Sequence, residues 1–78
     1  MKSTYLLSAL EKGQTAVICA LSASGAMRRR LMDIGIAPGA KIQPLFRSCW
    51  GEPTAYLIQD TVIALRREDA DTVLVKLI

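Results

Sequence analysis

Residues 28–39 read RRRLMDIGIAPG, and this stretch specifies a helix end, a sharp turn and the start of a strand in immediate succession. Met27, Leu31 and Ile34 fall at i, i+4 and i+7, which sets three apolar side chains on one side of a helix, while Arg28, Arg29, Arg30 and Asp33 spread over the rest of it. Gly35 follows directly, where helices commonly stop on a residue in the left-handed conformation that glycine adopts without steric cost. Ile36 is then placed to fold back onto Leu31, the apolar contact of such a stop. Ala37-Pro38-Gly39-Ala40 offers Pro at the second turn position and Gly at the third, the pattern of a type II turn. The chain leaves it as a strand beginning at Lys41.

Upstream, Thr15 to Leu21 (TAVICAL) is rich in strand formers and apolar on both faces, with Val17, Cys19 and Leu21 alternating against Ala16, Ile18 and Ala20. That predicts a largely buried strand. Ser22 or Ser24 supplies the N-cap of the helix that runs to Ile34, with no Glu or Gln three residues on to complete a capping box. Leu7, Leu10 and Gly13 predict a helical turn over Ser8 to Lys12, preceded by fraying terminal residues. Downstream, Lys41 to Cys49 alternates, with Ile42, Pro44 and Phe46 on the inner side and Lys41, Gln43 and Arg47 on the outer. Pro44 has no N–H to give a ladder, so it marks an edge or a bulge. Trp50-Gly51-Glu52-Pro53 interrupts, Thr54 to Gln59 resumes with Tyr56 and Ile58 on one face, and Asp60 sits in a tight turn leading to Val62–Leu65. Arg66 to Asp71 is a charged helical turn, and Thr72 to Ile78 is the last strand, with Val73, Val75 and Leu77 on one side. About five short strands with one helix inserted after the first predict an all-β chain folded as a small closed barrel, the terminal strand pairing with the first and hiding its edge.

Composition narrows the function. The chain has 78 residues and is 51% hydrophobic, enough for one domain spanning residues 1–78 with a modest core. No apolar run reaches the roughly 20 residues needed to cross a bilayer, and no leader pattern opens the chain, so the expectation is a soluble, cytoplasmic protein. Cys19 and Cys49 do not make a disulfide framework and read as small buried hydrophobes. Without histidine, a transition-metal site lacks its usual ligands, and neither Ser nor Cys has an imidazole base. Glu68, Asp69 and Asp71 read as a charged surface turn, since no glycine-hinged calcium loop surrounds them. No enzyme, metal or cofactor is expected. The formal charge of +3 tilts towards anionic partners without making a nucleic-acid footprint. What remains is surface: the run Arg28, Arg29 and Arg30 with Leu31 and Met32, a basic patch if Arg66 and Arg67 lie on the same side, and Trp50, which reads equally as a buried ring and as a partner anchor.

The ordered motifs RRRLMDIGIAPG, WGEP and ALRREDAD, spread from Leu10 to Val75, resemble FeoA, the small cytoplasmic protein of bacterial ferrous iron uptake. Trp50 stands where that family usually has leucine, Glu52 replaces aspartate, Cys49 replaces proline, and Gln59-Asp60 replaces a basic residue and glycine. The resemblance implies an SH3-like β-barrel, akin to the C-terminal domains of iron-dependent repressors, with Gly35, Pro38, Gly39, Gly51 and Pro53 as its structural motif. It also implies a partner, the FeoB membrane ferrous iron transporter on its cytosolic side, and no catalysis or bound iron. Arg28, Arg29, Arg30, Leu31, Met32 and Trp50 are then the candidate contacts. The other reading is a small nucleic-acid-binding barrel or repressor-like interaction domain using Arg28–Arg30 and Arg66, which lacks the exposed aromatics that stack on bases.

Overall fold

Hydrogen bonds at the end of the first helix organise the chain as the motif anticipates. The computed structural model describes residues 4–47 and 52–78. Among them the order is strand β1 (Thr4–Leu6), a 3₁₀ turn (Leu7–Ala9), β2 (Ala16–Leu21), helix α1 (Gly25–Asp33), β3 (Lys41–Arg47), β4 (Thr54–Ile58), β5 (Thr61–Leu65), the one-turn helix α2 (Arg67–Ala70) and β6 (Val73–Leu77). Helix α1 stops as a Schellman motif: the Gly35 N–H donates to the Met32 carbonyl at 3.1 Å and the Ile36 N–H to the Leu31 carbonyl at 3.0 Å, with Gly35 at φ +106°. Leu31 and Ile36 both join the core. The type II turn follows, its Ala40 N–H donating to Ala37 at 3.1 Å with Gly39 at φ +93°. It is pinned to β2 from both sides, because Gly39 N–H donates to the Ile18 carbonyl (2.8 Å) and Ile18 N–H to the Ala40 carbonyl (2.9 Å).

The strands form one antiparallel six-stranded sheet in the order β1-β6-β2-β3-β4-β5. The terminal strand does pair with the TAVICAL strand, Ala16 opposite Leu77 and Leu21 opposite Val73. All-β architecture with one inserted helix is therefore as expected, with two differences. Thr4–Leu6, not expected as a strand, pairs with β6 as a sixth strand. The barrel is also not closed among the described residues, since β1 and β5 are the two ends of the ladder. The inner face of this sheet, α1, α2 and the 3₁₀ turn share one core built on Leu7, Ile18, Leu31, Ile36, Ile42, Tyr56, Ile58, Val73 and Val75.

Two bulges decide which side chains reach that core. In β2 the register shifts between Ile18 and Ala20, so Cys19 is the extra residue. Ile18 and Leu21 consequently both point inward, while Ala20 is exposed and Cys19 half-buried, its thiol 3.8 Å from the Val17 carbonyl. In β3 the shift lies between Pro44 and Phe46. Pro44 remains buried, but Phe46, expected on the inner side with Ile42 and Pro44, is carried outward by the inserted Leu45 and is 61% exposed. Pro44 costs the sheet nothing here: β2 pairs with β3 only at Lys41 and Ile42, and beyond them the Pro44 carbonyl accepts the Gly13 N–H from a loop. Arg47, beyond the bulge, donates to the Ser8 and Leu10 carbonyls at 3.3 Å and so holds the 3₁₀ turn against β3.

Among the described residues Tyr56 is the largest fully buried side chain. Loss of solvent raises its phenol above the usual 10.0, opposed by a hydrogen bond with Thr54 and by the Arg47 charge, with the Asp71 charge adding to the rise. Because the folded-state value lies above the unfolded one, the stability tied to the protonated phenol is present in full below pH 10 and is lost as pH rises through the folded value. Tyr56→Phe should be less stable by about 1 kcal/mol near neutrality, having lost the Thr54 bond, and should lose less stability than the wild type when urea unfolding is repeated above pH 10. At Gly35 an added Cβ would meet only Ile58, at 3.8 Å, an ordinary contact. Gly35→Ala should therefore lower stability by about 1–3 kcal/mol through backbone strain alone, with an unchanged circular dichroism spectrum.

Candidate functional site

The exposed side of α1 carries most of the candidate contacts. The helix starts at Ser24, which has the extended backbone of an N-cap but makes no side-chain cap bond. Met27 packs against the core and Leu31 is 1% exposed, which leaves the arginines and Met32 around the remaining circumference. Leu31 is therefore not available as a contact: its side chain sits under the helix beside Ile36. Ile34, expected on the buried stripe, is 40% exposed. It lies one residue beyond the helical span, as the cap, and the reversal at Gly35 brings Ile36 rather than Ile34 into the core. Met32 and Ile34, at 41% and 40%, thus form an apolar exposed end of the helix that the spacing rule misassigns by half.

The three arginines do different things. Arg28 Nη1 donates to the Leu21 carbonyl at 3.2 Å, tying the helix back to the end of β2. Arg30 is exposed; one nitrogen lies 3.8 Å from the Asp69 carboxylate and 3.6 Å from the Met27 sulfur. The Arg29 side chain makes no hydrogen bond or ion pair with another described residue and lines, with Gly25, Ala26, Arg30 and Asp33, a shallow open cleft of about 470 Å³. The Arg30 side chain reaches Asp69 of α2, so the basic run of α1 comes within ion-pair range of that turn. The patch itself is not purely basic. Arg66 and Arg67 share their cleft with Glu52, Glu68 and Asp71, so acids and bases interleave across this side. Long-range attraction for a polyanion is correspondingly weak.

The loop before β4 contributes in part. Trp50 and Gly51 of the expected contacts and motif, and Cys49, lie outside the described residues. Beyond them, the Glu52 carboxylate accepts the Arg67 N–H at 2.6 Å, satisfying a first-turn donor of α2, while Pro53 is exposed. Ser8 and Asp71 hydrogen-bond through their side chains and link the 3₁₀ turn to the end of α2. Among the described residues no three His, Cys, Asp or Glu side chains group in a way that could hold a metal ion. Among the described residues no helix is long and apolar enough to cross a membrane. Sequence spacing did not reveal Ile34, Phe46 or Val62 (58% exposed) as surface apolar residues. Only Ile34 carried a signal, its position immediately before the helix-ending glycine.

Loss of Arg28 should be felt in stability rather than in surface charge. Arg28→Ala is expected to cost about 1–2 kcal/mol by chemical denaturation, because it leaves the Leu21 carbonyl without its charged donor, whereas Arg29→Ala should stay within about 0.5 kcal/mol of the wild type.

The FeoA domain family model matches residues 5–77. The chain is 36% identical over 72 residues to an Fe(2+) transport protein A/Fe(2+) transporter FeoB fusion protein of Porphyromonas gingivalis, an alignment that covers 92% of this chain and 8% of the fusion. The fold superposes on iron(II) transport protein A of Clostridium thermocellum with a TM-score of 0.89 and 32% identity, covering all of this chain and 46% of that one. It superposes with a TM-score of 0.78 and 29% identity on Stenotrophomonas maltophilia FeoA complexed with zinc, described as a prokaryotic SH3 domain protein, over 96% of this chain and 88% of that one. The chain thus spans less than half the length of the first two relatives.

Proposed function

The chain belongs to the FeoA domain family, and from that premise we propose that it is a non-enzymatic cytoplasmic accessory protein of bacterial ferrous iron uptake that binds the cytosolic part of a FeoB-type transporter and modulates its assembly or activity. The fusion relative carries this reading. There the two partners are segments of one polypeptide, and a domain tethered to its target acts at a high effective concentration. A separate chain must recover that proximity by binding.

The surface proposed for docking is the exposed side and C-terminal end of α1. Met32 and Ile34 supply the apolar centre and Arg29 and Arg30 a charged rim, and Trp50 is kept from the sequence as a further candidate anchor. Arg28 and Leu31 support this surface from beneath, the first through the Leu21 carbonyl and the second through the core. A polar substitution at Leu31 is therefore a folding perturbation and cannot test docking.

Met32→Asp is the informative variant, since its side chain is already exposed. Titrated against the isolated cytosolic portion of the FeoB-type transporter by calorimetry, it is expected to bind about tenfold or more weakly than the wild type, with an unchanged thermal midpoint. Equal affinity would exclude the α1 surface, and a wild-type chain that does not bind at all would remove the proposed partner.

A further inference from the structure

Strand β5 ends the described ladder on one side and has a composition that natural edges usually avoid. Thr61–Leu65 (TVIAL) contains no charge, no proline and no bulge. Its alternation can be worked out from the hairpin before it. Gln59 and Asp60 both have positive φ, 45° and 65°, and Ile58 stands opposite Thr61, so this is a two-residue primed turn. The pair closing such a turn exchanges both backbone bonds, and bonded pairs then alternate. Thr61, Ile63 and Leu65 therefore direct their N–H and C=O groups at β4, while Val62 and Ala64 direct theirs away from it. Among the described residues nothing outside β4 bonds to these outward groups.

We propose that β5 is a homodimerisation edge, two copies of the chain pairing it antiparallel about a two-fold axis at Ile63. This register sets Val62 opposite Ala64 of the second copy, joining residues whose backbone groups all point outward, for about four new backbone bonds. It also sets Asp60, immediately before the strand, opposite Arg66 of the second copy, immediately after it, once on each side of the axis. Both residues are exposed. The other registers that preserve the bonding alternation lose this complementarity: centring on Val62 places Asp60 opposite Ala64, and centring on Ala64 moves it towards Glu68. One-residue slips would break the alternation altogether.

The outer face continues across the same axis. Phe46, Ala55 and Ala64 are neighbours across β3, β4 and β5, and Gln43, Leu57 and Val62 make the adjoining row. In the dimer the first row of one copy runs into the second row of the other through Ala64 and Val62. Phe46 of one copy and Val62 of the other, 61% and 58% exposed, then lie on one row, separated by the exposed Ala64 and by Ala55, which is 7% exposed.

An edge this short makes a small interface, so association is expected at about 10⁻⁴ M. Sedimentation equilibrium of the 78-residue chain up to about 1 mM, without transporter, tests the dimer separately from the proposed docking. Asp60→Arg and Arg66→Asp should each weaken the dimer about tenfold, and the two together should restore it, which also shows that the substituted hairpin folds. A chain monomeric throughout, single reversals without effect, or a double variant that stays dissociated would each overturn the proposal.

Discussion

The hydrogen bond from the Ile36 N–H to the Leu31 carbonyl is the constraint on which the rest of the molecule depends. It forces the chain back under the last turn of α1, and Gly35 supplies the positive φ that the reversal requires. Ile36 thereby enters the core at 0% exposure and Leu31 is held at 1%. Burying each such side chain contributes roughly 1.5–3 kcal/mol, so a short hydrogen-bonded reversal is reinforced by a larger apolar term. The turn at Pro38-Gly39 then delivers β3 alongside β2, locked by the two bonds around Ile18. Helix placement, strand order and the exposure of Met32 and Ile34 all follow from that reversal.

The surface divides into groups that hold the fold and groups that remain open to a partner. Arginine illustrates the division best. Arg28 and Arg47 spend their guanidinium groups on backbone carbonyls at the ends of β2 and the 3₁₀ turn, whereas Arg29 and Arg30 stay at the surface. Residue type alone does not separate these roles; the distance to an unsatisfied carbonyl does. The same holds for the acids: Glu52 satisfies the Arg67 N–H and Asp71 bonds Ser8, so much of the charge on the α2 side is consumed in joining segments far apart in sequence.

Much of the fold was legible residue by residue. The helix stop, the type II turn and the hairpin at Asp60 were each encoded by local chemistry: glycine or a residue tolerant of the left-handed region where φ is positive, and proline where φ is preset. Pro44 even announced its bulge. The candidate site was less legible. Leu31 was expected in the contact set and lies in the core, Ile34 was expected in the core and lies at the surface, and Phe46 moved outward.

Those differences share one physical cause. Local sequence determined which conformations the backbone could adopt at Gly35, Pro38, Gly39 and Asp60, because steric restriction of φ and ψ acts within one or two residues. Period rules for side-chain direction hold only while the ladder or helix is regular. The extra residues Cys19 and Leu45 reset the alternation of β2 and β3, and the reversal at Gly35 substituted Ile36 for Ile34. Where those irregularities fall depends on pairing with β6 and β4 and on the room left in the shared core, long-range terms that no short window of sequence contains. The sequence by itself therefore determined the turns, the strand alphabet and the family. Tertiary packing decided which apolar side chains were left facing outward.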